Sequence, residues 1–116
     1  RESSLRMEMD LDNKYVVSVL RSHNGDECPA FDEEAKKKGF LSYCLVMPSA
    51  ERTLEAIINH EHIAAREWDK IVLISKEITE SVEHMHLKGL IHADIKPLNI
   101  MRCDGRMKLI DLDASA

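Results

Sequence analysis

No stretch of this 116-residue chain approaches the run of about 18 apolar residues that a membrane span requires. No signal-peptide pattern opens it either, because Arg1-Glu2-Ser3-Ser4 is polar. A cytoplasmic or nuclear location is therefore expected, without a membrane partner. Positive charge is in deficit: 16 basic residues stand against 21 acidic ones, a net of −5. A general nucleic-acid binder needs a basic face, so that class is set aside. Cysteine is sparse as well. Cys28, Cys44 and Cys103 make no C-x-x-C pair and no zinc spacing, which suits reduced thiols. The pairs His60/His62 and His84/His86 lack further ligands at zinc spacing. Internal repeats are absent, and the length allows one ordinary domain. The missing initiator methionine, and an end three residues after Asp113, lead us to expect a segment of a longer protein.

What is present reads as globular, with 44% hydrophobic and 32% charged residues. The end of a helix is expected over Arg1–Met9, and a β-branched strand at Tyr15–Leu20. Ser22 to Lys38 is a polar connection in which Asp32, Glu33 and Glu34 each precede a lysine by four. That order favours a short solvated helix closed by Gly39. Tyr43–Met47 is a second strand, ended by Pro48, and its expected antiparallel partner is Tyr15–Leu20. Thr53 can cap a short helix through Leu54, Ile57 and Ile58. A longer helix is expected from Glu67 to Leu87, with Gly89 as its C-terminal cap. Ile71-Val-Leu-Ile74 makes its first turns apolar all round, as in a helix surrounded by other elements. Asp104-Gly105 between apolar runs signals a hairpin.

The chemistry gathers between helix and hairpin, in "LIHADIKPLNIM", residues 90 to 101. Lys96 precedes Pro97 and is pushed toward an extended conformation. Residues two apart in an extended stretch face the same way, so Asp94 and Lys96 can share one site. A carboxylate can accept a hydroxyl proton, and an ammonium can neutralise a transferring phosphoryl group. Asn99 offers an amide oxygen suited to Mg²⁺. With the turn at Asp104-Gly105, Asn99 falls opposite Ile110, and Asp111 arrives at the same open end, about 5 Å away. A perfect ladder would put the two on opposite faces. At least one must lie beyond its end if both are to hold one metal.

His92-Ala-Asp-Ile-Lys-Pro-Leu-Asn99 resembles the protein-kinase catalytic loop, H-R-D-L-K-P-x-N. Asp111-Leu-Asp113 falls where those kinases carry the metal-binding D-F-G. Glu83 to Ile91 is similar to the end of the helix that precedes that loop, and Leu45-Val-Met47 to the strand entering the hinge. The resemblance covers nearly the whole chain. It implies an α+β fold: part of the N-lobe sheet over residues 1–47, a hinge at 48–53, and the first half of the helical C-lobe at 54–116. It implies an ATP-dependent protein kinase using Mg²⁺, and Lys96 favours serine or threonine in the protein substrate. Asp94 would be the base and Lys96 the γ-phosphate contact, with Asn99 and Asp111 as metal ligands. Met47 matches the gatekeeper, while the Pro48 carbonyl and Ala50 amide match the groups offered to adenine. His92, Met101 and Leu112 match packing positions beneath the nucleotide and metal. Glu2 matches the helix glutamate that pairs with the nucleotide-binding lysine, at a spacing about two residues too long.

Departures from the pattern carry information. Ala93 replaces the arginine that pairs with a phosphorylated activation loop, which puts gating by that route in doubt. Leu112 replaces phenylalanine, and Asp113 replaces glycine, adding a carboxylate beside the metal motif. These 116 residues contain no G-x-G-x-x-G, no strand lysine in a V-A-I-K setting and no A-P-E. The isolated chain is therefore expected to be inactive and, with a strand edge and the Ile71–Ile74 turns uncovered, to self-associate. Ile110-Asp-Leu-Asp113 is also similar to the motif of aminoglycoside- and choline-type phosphotransferases, an alternative enzyme class. A pseudokinase scaffold is the non-enzymatic alternative.

Overall fold

A computed structural model describes residues 5, 8–24, 33–34, 36–39 and 43–116. The chain divides into two compact units, Arg1–Val17 with Ser49–Ala116, and Ser18–Pro48. The fold is α+β. No helix among the described residues is long and apolar enough to cross a membrane.

The smaller unit is built on two antiparallel strands, β1 (Arg21–Asn24) and β2 (Tyr43–Val46). Arg21 stands opposite Val46 and Asn24 opposite Tyr43. The expected strand at Tyr15–Leu20 is thus corrected: the ladder lies further along the chain, and Leu20 only adjoins it through an N–H bond to the Val46 carbonyl, 2.7 Å. The apolar run was the misleading signal. Val16 and Val17 are buried in the other unit, while the paired strand is the polar Arg-Ser-His-Asn. Strand pairing there follows backbone hydrogen bonds rather than side-chain hydropathy. Further on, Glu34 and Lys38 form the expected i,i+4 ion pair at 2.8 Å, and Gly39 turns the chain at φ +75°. Asp32, Cys28 and Glu2 lie outside the described residues.

In the larger unit a short strand, β3 (Arg52–Thr53), runs directly into helix α1 (Leu54–His60). Thr53 caps it as expected, its hydroxyl accepting the Ala56 N–H at 3.1 Å. Helix α2 (Trp68–Leu87) follows, close to its expected bounds. Gly89 ends it in the left-handed region, φ +76°, where a side chain would be strained. The Gly89 N–H reaches the His86 carbonyl and the Leu90 N–H that of Met85, so the last carbonyls are satisfied. A 3-10 turn at Pro97–Asn99 leads into β4 (Ile100–Cys103) and β5 (Arg106–Leu109). Asp104 and Gly105 both have positive φ, +54° and +72°, as a two-residue hairpin loop requires.

The sheet order is β3-β4-β5, all antiparallel. On the outer side of β5, Tyr15–Val17 lies parallel to the strand. The Leu109 N–H bonds the Tyr15 carbonyl and the Val17 N–H bonds the Leu109 carbonyl, each at 3.0 Å. The edge that would invite another strand is thereby occupied. Val16, Ile57, Ile63, Met85, Leu90, Ile100, Met107, Leu109 and Leu112 form one buried cluster. Burial of each contributes about 1.5–3 kcal/mol for a Val, Leu, Ile or Met side chain. Trp68, Val72 and Leu73, by contrast, leave the first turns of α2 exposed.

Charge on the sheet is arranged with care. Arg52 and Arg102 are directly opposite on β3 and β4, a pairing that like charges disfavour. Glu61, just past α1, sits between them and pairs with both guanidinium groups, and Glu51 adds a contact to Arg102 Nε at 3.5 Å.

Candidate active site

The expected reactive loop lies between α2 and β4, anchored at both sides by apolar burial: Leu90 and Ile100 are buried in the core. Lys96 is extended, φ −153° and ψ 160°, as its place before Pro97 demands. Asp94 and Lys96 accordingly meet, with Nζ 2.8 Å from Oδ2.

Asn99 comes to the same carboxylate from the 3-10 turn. Its Nδ2 donates to Asp94 Oδ2 and to the Asp94 carbonyl, both at 3.0 Å. Two acceptors fix which end of the carboxamide carries nitrogen. They also use both N–H bonds, so Oδ1 is left as an acceptor without a partner among the described residues. Asn99 itself is 6% exposed. The bonds to the Asp94 carboxylate all fall on Oδ2, and Oδ1 takes none from the described residues.

The Lys96 ammonium bonded to Asp94 holds that carboxyl below its usual range; burial opposes this, and the Asn99 bond assists it. Reciprocally, the Asp94 bond raises Lys96. Both side chains remain partly exposed, so solvent screens the pair.

Beneath the loop sits His92, 2% exposed. Its Nδ1 accepts the Asp94 backbone N–H at 3.3 Å, which leaves Nε2 to donate to the Ile110 carbonyl at 2.9 Å. One neutral tautomer satisfies both bonds. His92 is thus a buried, hydrogen-bonded histidine at the packing position its sequence match implied. It ties the loop to the residue just before Asp111.

Asn99 and Asp111 both lie past the β4–β5 ladder, whose last pair is Ile100 with Leu109. The Ile110 N–H still bonds the Asn99 carbonyl at 3.0 Å, so the two chain segments leave the hairpin side by side. Asp111 adopts φ +61° and Ala93 φ +65°, left-handed backbone at two non-glycine residues flanking the site. The Asp113 N–H reaches Asp111 Oδ1 at 3.4 Å. Leu112 is fully buried in the core cluster.

Sequence reasoning did not anticipate how the far end of this segment is held. Ile91 and Ala116 exchange both backbone hydrogen bonds, at 2.8 and 3.0 Å. Between them, the buried Ser115 hydroxyl donates to the His92 carbonyl at 3.3 Å. A serine one place from the chain's last residue carries no local signal for such a bond.

The remaining expected positions fall as follows. Met47 is exposed and Pro48 half-buried, at the end of the smaller unit. Ala50 belongs to the larger unit and is half-buried. Met101 lies in β4, paired with Thr53 on one side and Lys108 on the other.

Comparison with known sequences matches a protein kinase domain profile to residues 11–116. Over 44 residues, 37% of this chain, it is 48% identical to a probable cell division protein kinase of Encephalitozoon cuniculi. It is 35% identical to smooth-muscle myosin light chain kinase of Gallus gallus over 86 residues, 71% of this chain. Mitogen-activated protein kinase 12 of Mus musculus is 26% identical over 108 residues, 92% of this chain. The aligned stretches span 14%, 4% and 26% of those three proteins.

Proposed function

From the premise that this chain belongs to the protein kinase domain family, we propose that it supplies the catalytic loop and metal motif of an ATP-dependent kinase acting on serine or threonine. The observation that carries the reading is the Asp94 carboxylate. It is held through Oδ2 by Lys96 and Asn99, with Oδ1 left to receive a substrate hydroxyl. Its lowered proton affinity keeps it ionised at neutral pH, so it orients the hydroxyl and takes the proton as transfer proceeds.

Lys96 places a cation beside that carboxylate, where charge on a transferring phosphoryl group would be neutralised. Asn99 Oδ1 and the Asp111 carboxylate are hard oxygen donors on adjacent segments, a donor set that fits Mg²⁺. When bound, that ion would neutralise phosphate charge. On the resemblance, the Pro48 carbonyl and Ala50 N–H are assigned to adenine, with Met47 and Met101 against its ring. The segments 1–47, 48–53 and 54–116 are assigned to N-lobe, hinge and C-lobe on the same ground. Leu112 supports this reading, since its burial supplies the packing of the phenylalanine it replaces. The retained Asp94, Lys96, Asn99 and Asp111 favour an enzyme over a scaffold, and the named relatives favour a protein over a small-molecule substrate.

The 116 residues alone lack a glycine-rich phosphate loop and its strand lysine, and are proposed to be inactive. The test is phosphate transfer from labelled ATP and Mg²⁺ to serine, threonine and tyrosine peptides, by this chain and by a longer protein containing it. Transfer by the longer protein to serine or threonine, lost in Asp94→Asn, is expected. Transfer unaffected by Asp94→Asn, or confined to aminoglycosides and choline, would overturn the assignment.

A further inference from the structure

The segment from Asp12 to Val17 reaches across the sequence to α2 and β5, and one histidine holds its near end. The Asp12 backbone N–H donates to His84 Nε2 at 3.0 Å, across 72 residues. The same imidazole stacks on Tyr15, with centroids 4.7 Å apart and planes 23° from parallel. Beyond Tyr15, the segment lies along β5 through the two Leu109 bonds.

An imidazole nitrogen accepts an N–H only while it carries no proton. We propose that His84 is a proton-operated clip. Neutral, it holds Asp12–Val17 against α2 and the edge of β5; protonated, it can no longer accept the Asp12 N–H, and that end of the segment is released. Among side chains, histidine is the one whose charge ordinarily changes between about pH 5 and about pH 8.

Charged neighbours meet the ring from three sides. Glu80 lies one turn before it on its own helix, and Lys88 four residues after it at the C-cap. Asp12 and Lys14 come from the clipped segment and Asp10 from just before it, Asp10 lying 3.7 Å from Lys88 and the Lys14 ammonium 5.2 Å from the Tyr15 ring. From β5, Arg106 lies 5.3 Å from Tyr15, donates to the Lys14 carbonyl and pairs with Glu80. The imidazolium would thus enter a setting with two cations near Tyr15. It would also gain attraction to Glu80, to the acidic residues 10 and 12, and to the carbonyl end of α2. Those attractions can hold the charged ring in place, but they cannot restore the lost acceptor.

The release would reach the reactive loop by a short route. Leu109 is held by Tyr15 and Val17, and the next residue is Ile110, whose carbonyl receives His92. Loosening the segment therefore frees the edge of the strand that leads into Asp111.

Amide hydrogen exchange of the full 116-residue chain, corrected for intrinsic rates, tests the clip between about pH 8 and about pH 5. Asp12 protection should fall about fivefold to tenfold on acidification, the scale of one hydrogen bond. His84→Gln, whose side chain does not titrate there, should remove the pH dependence, whereas His86→Gln on the exposed side should keep it. Constant protection in the parent chain, or the same loss in His84→Gln, overturns the proposal. Should His84→Gln fail to fold, NMR on the parent chain decides: the Asp12 amide shift must titrate with the His84 ring, and separate midpoints overturn it.

Discussion

Asn99 gives both of its carboxamide N–H bonds to Asp94, one to the carboxylate and one to the backbone carbonyl. The amide therefore has two tasks at once. It orients the carboxylate with its nitrogen, and its oxygen is the donor proposed above for a cation. Asn99→Asp would remove both donors and set a second carboxylate against the first. We expect a loss of about 2–3 kcal/mol of stability, from two hydrogen bonds at about 1 kcal/mol each plus repulsion, read by urea unfolding. Stability within error of the parent chain would show that the two bonds do not hold the loop.

Ala93 occupies left-handed backbone at φ +65°. A residue with a Cβ is strained there by about 1–2 kcal/mol, and glycine is not. Ala93→Gly should raise stability by about 1 kcal/mol, while Ala93→Val should lower it by at least as much. A fall in Tm for the glycine variant would refute the strain.

Glu61 separates two arginines that face each other across β3 and β4. Glu61→Gln should cost about 1–2 kcal/mol, between the values for exposed and buried pairs, because Glu61 and Arg102 are each 26% exposed. A double-mutant cycle with Arg102→Met should show that most of this loss vanishes once the second charge is gone. Additive losses would mean the pair is not coupled.

The Arg106 hydrogen bond holds Glu80 below its usual carboxyl range, against an opposing effect of burial. A depressed folded-state value gives stability that is full above the unfolded value and lost as pH falls through the folded one. The parent should therefore be more stable than Glu80→Gln above that window, and the difference should vanish below it. Identical acid profiles for the two proteins would remove Glu80 from the account.

The loop around Asp94 was legible because its information is local. Asp94 and Lys96 are two residues apart in an extended stretch, and Pro97 enforces the extension. Asp104-Gly105 set the hairpin, and Thr53 and Gly89 set helix ends, each through its own backbone preference. The misplaced first strand has the opposite origin. Val16 and Val17 are apolar for the sake of β5 and the core, a partner some ninety residues away that no window over Tyr15–Leu20 contains. His84 was hidden for the same reason: its neighbours on α2 gave no hint of the Asp12 amide.

The chain distances of these contacts differ in a way that bears on how the molecule assembles. Every side-chain bond to Asp94 spans two or five residues, whereas Asp12 meets His84 across 72. Closing a short loop costs little conformational entropy, and closing a long one costs more. The Asp94 carboxylate can thus acquire its partners as soon as the stretch from His92 to Asn99 exists. The Asp12–Val17 segment, made earlier in synthesis, has to wait until residues 84 to 109 have emerged before it finds its place.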